Sequence, residues 1–260
     1  MEVRAVMTRE PITVTPADGL NRAMKLMKQH GIRHLPVVAD GRLVGVLSDR
    51  DLLGATGWLP LDERISCTVV ADAMATDPIA VSPEDSVVTA AVELSCQGLG
   101  CLPVVGEDRL VGILTDMDLL RALSVRERDS HARVSEIMSA GPQTASRALT
   151  VGAAAKLLDA SGARHLPVLE GGGLVGIVSD RDLQRARGAR LPETTPLGDI
   201  LSHPVSIVSD EAPIALAART MVERKISALP VIHGRELVGI VTSVDVIDYC
   251  VDSLREADPA

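Results

Sequence analysis

At 260 residues and 27.4 kDa, with 46% apolar and 23% charged residues, the chain has the makeup of a globular protein with room for one large core or two ordinary ones. A net charge of −9 argues against a nucleic-acid partner, and base-stacking platforms are scarce: there is no Phe, and only Trp58 and Tyr249. No apolar run approaches the roughly 18–20 residues of a membrane span, and the opening MEVRAVMTRE has no apolar signal core, so the expectation is a cytoplasmic protein with no membrane partner.

In chain order, the first predicted element is a short apolar strand from Ile12 to Thr15, followed by Pro16 and acidic residues suited to a helix start. Leu20, Ala23, Met24 and Met27 fall at i, i+3, i+4 and i+7, which predicts an amphipathic helix ending near Gly31. Two β-rich runs come next, HLPVV and LVGVLS, joined by the turn ADGR, and a second helix opens at SDRDL. The LVG run is apolar at nearly every position, which predicts cover on both faces.

The same order returns three times. LPV recurs at Leu35, Leu102, Leu166 and Leu229, and LVG with two aliphatics and Ser or Thr at Leu43, Leu110, Leu174 and Leu237. The helical face recurs as Val87, Ala90, Ala91, Leu94, as Val151, Ala154, Ala155, Leu158, and as Ile214, Ala217, Ala218, Met221. Even Met7 has counterparts in Met74, Met138 and Leu201. Self-similarity at a fixed period is a repeat architecture, here four strand-helix-strand-strand-helix repeats of α/β (α+β) class. They are expected at 1–54, 68–123, 134–187 and 197–252. The linkers are expected at about 55–68, 123–133 and 187–196, and VDSLREADPA reads as a fraying tail.

A repeat of about 64 residues buries little surface alone, so repeats should pair. RHLPVVADGRLVGVLSDRDL, from Arg33, and RHLPVLEGGGLVGIVSDRDL, from Arg164, are identical at fourteen of twenty positions. The second and fourth repeats instead carry GCLPV with TDMDL and SALPV with TSVDV. Duplication of a two-repeat module explains this pattern, giving modules 1–123 and 134–260. Cys67, Cys96, Cys101 and Cys250 lack metal-type spacing and read as buried thiols, with no metal site expected.

The element order, the LPV strand, and Gly with two aliphatics before Ser/Thr-x-x-Asp resemble the CBS domain. Four copies in register make two tandem pairs, or Bateman modules, over nearly all of the chain. Such a chain is similar to the gamma regulatory subunit of AMP-activated kinase and to stand-alone prokaryotic CBS proteins. The resemblance implies a regulatory protein that binds an adenosine-containing ligand between paired repeats. AMP, ADP or ATP comes first, with S-adenosylmethionine, NAD or a cyclic dinucleotide as alternatives, or a scaffold that has lost its ligand. It implies no required cofactor, a regulated protein partner that the sequence does not name, and either a disc within one chain or a homodimer.

Ser48-x-x-Asp51, Thr115-x-x-Asp118, Ser179-x-x-Asp182 and Thr242-x-x-Asp245 are the main candidate ligand contacts. A hydroxyl with an acid three residues later also makes a helix capping box, although that box usually carries Glu or Gln. A carboxylate fixed at a helix start can accept hydrogen bonds from both ribose hydroxyls, and the Ser or Thr hydroxyl and the helix start can donate toward phosphate. The resemblance implies the ribose role for Asp51, Asp118, Asp182 and Asp245. Arg33-His34 and Arg164-His165 offer charged forks for phosphate, with Arg50 and Arg181 as further candidates. In the family such basic residues often serve a neighbouring repeat. Gly100-Cys101 and Ser227-Ala228 replace the pair in the even repeats, which predicts weaker or differently selective sites there. Ile12, Thr13 and Val14, with their counterparts Ile79, Ala80 and Val81, are candidates for backbone and apolar contacts to an adenine. Core packing is the competing reading.

Gly171-x-Gly173-x-x-Gly176 matches a dinucleotide fingerprint, but it joins two predicted strands and reads as a hairpin turn. The chain has no P-loop, zincin motif or nucleophile elbow. His30, His131, His203 and His233 scatter over linkers, turns and helix ends. No catalytic residue is expected.

Overall fold

A computed structural model describes residues 1–56, 69–124, 132–201 and 204–257. Most of the first two predicted linkers lies outside the described residues, as do Trp58, Cys67, His131 and His203. Among the described residues no helix is long and apolar enough to cross a membrane.

The first repeat holds β1 (Thr8–Arg9), α1 (Leu20–His30), β2 (His34–Ala39), β3 (Arg42–Ser48) and α2 (Asp49–Thr56). The second holds β4 (Ala75–Thr76), α3 (Val87–Cys96), β5 (Cys101–Gly106), β6 (Arg109–Thr115) and α4 (Asp116–Ser124). The third holds β7 (Ser139–Ala140), β8 (Ala145–Ser146), α5 (Val151–Ser161), β9 (His165–Glu170), β10 (Gly173–Ser179) and α6 (Asp180–Gly188). The fourth holds β11 (Val208–Ser209), α7 (Ile214–Arg224), β12 (Ala228–His233), β13 (Glu236–Thr242) and α8 (Ser243–Ala257). The mixed α/β class and the helix-strand-strand-helix run of each repeat are as the sequence predicts.

Fifteen of the sixteen predicted helix-face positions are buried, Met24 alone being partly exposed. α1 stops at Gly31, whose left-handed φ of 62° turns its N–H back to the Met27 carbonyl. The Gly171-Gly172 segment does close the β9–β10 hairpin, with both φ values positive (58° and 82°).

Two expectations change and one holds only in part. The strand from Ile12 to Thr15 shrinks to one parallel bridge, Val14 to Val37. Pro11 and Pro16 bracket it and supply no N–H to extend a ladder. The LVG run is covered on both faces in the second repeat, where Gly112, Ile113 and Leu114 are all buried, and less fully in the first, where Gly45 and Leu47 are buried while Leu43, Val44 and Val46 are partly exposed. The supposed tail is helical to Ala257, because Val246, Ile247, Cys250 and Val251 form one buried face of α8.

The lead segment of each repeat goes to its partner. β1 lies on β6 (Thr8 opposite Ile113), β4 on β3 (Ala75 opposite Val46) and β7 on β13 (Ser139 opposite Ile240). The LVG glycine makes the room for it. A Cβ there would stand 2.5 Å from Met7 Sδ at Gly112, 2.7 Å from Met74 Sδ at Gly45 and 2.5 Å from Met138 Sδ at Gly239; at Gly176 it would stand 2.8 Å from Leu201 Cδ2. Backbone bonds fix the exchange: the N–H of Val3 donates to Asp85 O, Val70 to Asp18 O, Val134 to Ala212 O and Leu197 to Leu149 O. The core of the first repeat therefore contains Val70, and that of the third contains Leu197. Sheets also meet within pairs, β3 against β6 and β10 against β13. By contacts the chain divides into two compact units, residues 1–119 with 254–260, and residues 120–253.

Candidate functional site

Each Ser/Thr-x-x-Asp sits where the last strand of a repeat turns into its second helix, and all four close as complete capping boxes. The Asp51 Oδ2 accepts the Ser48 N–H at 2.7 Å and the Ser48 hydroxyl at 2.7 Å, and the Asp51 N–H returns to Ser48 Oγ at 3.2 Å. Thr115 with Asp118, Ser179 with Asp182, and Thr242 with Asp245 repeat this, with hydroxyl-to-carboxylate distances of 2.6, 2.6 and 2.8 Å. The Asp is thus no obstacle to the capping box. Each hydroxyl proton is directed at its own carboxylate, so the expected donation from Ser48, Thr115, Ser179 and Thr242 toward phosphate is not their arrangement here. In each box Oδ2 carries the capping bonds. Oδ1 carries none of them, and in Asp182 it lies 3.5 Å from Arg185 Nη1. Burial raises the pKa of Asp245, against the lowering effect of the Thr242 bonds.

Arg33, His34 and His165 lie between paired repeats. Arg33 Nη2 donates to Asp116 Oδ1 at 3.3 Å, so a guanidinium from the first repeat reaches the start of α4, two residues from Asp118. His34 packs on Gly100, where a Cβ would stand 2.5 Å from the imidazole Nε2. In the other pair His165 Nε2 lies 3.5 Å from Ser227 Oγ. The small residues that replace Arg in the even repeats are therefore the seats of the histidines from the odd ones. Burial pushes the His165 pKa down to about 4, so this imidazole is neutral near pH 7 and brings no charge to a phosphate. Arg164 is exposed, and Arg50 and Arg181 are partly buried at the first turns of α2 and α6.

Of the adenine candidates, Val14 and Val81 are core residues, 2% and 7% exposed. Their backbone groups are also taken: Val14 and Val81 donate to Pro36 O and Pro103 O, and accept from Val38 and Val105. That leaves Thr13, Ile79 and Ala80 exposed and Ile12 partly so, with Ile79 at 41%. Cys101 and Cys250 are buried as expected, whereas Cys96 is exposed, because it lies off the Ala90-Ala91-Leu94 face of α3. Burial, with Asp116 and Asp51 nearby, pushes the Cys101 thiol up to about 12. Among the described residues no cluster of three or more His, Cys, Asp or Glu could hold a metal ion.

Asp116 escaped the sequence reading, although the signal was present. The residue after Ser or Thr is Asp49, Asp116 and Asp180 in three repeats and Ser243 in the fourth. A box acid can be recognised from its spacing; a partner reached across two repeats cannot.

The family model described as the CBS domain matches residues 3–56, 70–125, 134–189 and 197–252. An uncharacterised protein of Methanocaldococcus jannaschii, MJ1404, is 28% identical over 98% of this chain, which spans 63% of that protein's length. An uncharacterised 33.4 kDa protein from a ribosomal RNA operon of Thermofilum pendens is 30% identical over 91% of this chain and 87% of its own. The crystal structure of MJ1225 from M. jannaschii, proposed as an archaeal homologue of the AMP-activated kinase gamma subunit, superposes with a TM-score of 0.80. It is 23% identical, and the match covers 96% of this chain and 99% of that one.

Proposed function

The chain belongs to the CBS-domain family, and from that premise we propose that it is a non-catalytic regulatory module that binds adenosine nucleotides of the AMP, ADP or ATP class between paired repeats. One observation carries the reading. Every repeat keeps an acid at the same helix start, held through Oδ2 so that the other oxygen carries no capping bond. In the first pair an arginine also crosses from the partner repeat to that helix start. A fixed carboxylate suits a ribose diol, and a guanidinium beside it suits a phosphate. In this reading the protein works in the cytoplasm and reports nucleotide status to a protein partner.

A second reading, a ligand-free scaffold, draws on the completeness of the boxes, whose hydroxyls and carboxylates satisfy one another unaided. The test is the shift in melting temperature with adenosine, AMP, ADP, ATP, S-adenosylmethionine and NAD. A ligand at one hundred times its Kd stabilises by about 2.7 kcal/mol, well within reach of the measurement. A rise with the nucleotides supports the first reading. A flat response to all six ligands refutes it in favour of the scaffold.

A further inference from the structure

The two pairs are not electrically equivalent. In the first, the α4 start carries Asp116 as well as Asp118, and Asp116 engages the arginine that would otherwise face a ligand (3.3 Å). The Asp116 side chain is 12% exposed, and its Oδ1 also accepts the Met117 N–H at 3.0 Å. It is a built part of the helix start, one that opposes the attraction of that start for anions. In the second pair the same position is Ser243, 4% exposed, whose N–H donates to the Ser227 carbonyl at 2.9 Å. Ser227 is also the seat of His165, the neighbour of Arg164.

We propose that Asp116 and Ser243 set the phosphate charge each pair accepts. The Asp116 site takes adenosine ligands with few anionic groups, and the Ser243 site those with a di- or triphosphate. This rests on the nucleotide-binding reading above and adds to it a division of labour between the modules. The physical basis is one formal charge, placed within a few ångströms of the helix start where a phosphate would sit. At an effective dielectric near 20, a unit charge even about 12 Å from a phosphate changes its affinity by about tenfold, and a nearer one by more.

The experiment is calorimetry on the full chain with adenosine, AMP, ADP and ATP, comparing the parent with Asp116→Asn. Asparagine keeps the size of the side chain and its acceptor for Met117, so the variant tests charge. Ser243→Asp is the converse variant. Asp116→Asn should strengthen ATP binding about tenfold or more, strengthen AMP less, and leave adenosine within about twofold. Ser243→Asp should weaken ATP and spare adenosine. If Ser243→Asp does not fold, Asp116→Asn with the same ligand ladder decides alone. Equal changes for adenosine and ATP would overturn the inference while leaving nucleotide binding intact. A parent that binds none of the four ligands would overturn the functional reading and this inference with it.

Discussion

Gly176→Ala tests the exchange of lead segments that builds each pair. The new Cβ would stand 2.8 Å from Leu201 Cδ2 and 3.1 Å from Cδ1. Carbon atoms pack best at about 3.5–4.0 Å, so Leu201 must retreat by roughly 0.7 Å or more from a packed position. Overpacking of this kind costs about 1–3 kcal/mol. Leu201→Ala alone gives up a part-buried leucine, at about 1–2 kcal/mol. Together the two should cost less than their sum by about 1–2 kcal/mol, since the shortened side chain in place of Leu201 no longer reaches the new methyl. Gly45→Ala supplies the contrast. Its Cβ would meet Met74 Sδ at 2.7 Å but also the Ala75 carbonyl at 2.8 Å, and no side-chain change relieves the carbonyl. Met74→Ala should therefore rescue Gly45→Ala much less than Leu201→Ala rescues Gly176→Ala. Urea unfolding of ligand-free protein, followed by two probes, measures all six variants. A Gly176→Ala protein within about 0.5 kcal/mol of the parent, or equal rescue in both pairs, would refute the contact.

Asp51→Ala and Asp182→Ala each remove the capping bonds and should cost about 0.5–2 kcal/mol of stability, with a separate loss of nucleotide affinity that calorimetry reads; unchanged affinity would make the acids caps alone. Arg33→Ala with Arg164→Ala should cost ATP more affinity than adenosine, which has no phosphate to lose, and equal losses would remove the phosphate role. His165 has a folded pKa of about 4, below its ordinary value, so the unfolded chain binds the proton first. Its contribution is present in full above about pH 6.5 and is lost as pH falls toward 4, by up to about 3 kcal/mol. His165→Gln should flatten that part of the stability-pH curve measured in urea. Native labelling with a maleimide should lose one fast thiol in Cys96→Ser and none in Cys101→Ser, whose thiol is buried and held protonated.

Local periodicity made most of the fold legible. The four helix faces, the hairpins and the box acids each occupy a few consecutive residues, where spacing alone determines what lies on one side. The exchange was half legible, since Met7, Met74, Met138 and Leu201 recur in register with the LVG glycines. The repeat alone cannot say that the methionine of one copy lands on the glycine of another. The site divided in the same way. Asp51 and Ser48 lie three residues apart and could be paired on sight, whereas Arg33 and Asp116 lie 83 residues apart and meet only after folding. Ile12 to Val14 left two readings open because apolar character marks core and binding surface alike, and the bridge to Val37 puts Val14 in the core.

The exchanged segments also give the chain a timetable. Thr8 leaves the ribosome 105 residues ahead of Ile113, the residue it pairs with. At about 5–20 residues per second, the N-terminal end must wait roughly 5–20 s for its strand partner to be synthesised. Throughout that interval Met7 and Val3, which is wholly buried in the finished protein, have no place to go. The edge of β3 is likewise open until Ala75 arrives. A message broken after the first repeat would therefore release a chain with an unclosed sheet edge and a loose apolar end, the kind of product that invites aggregation.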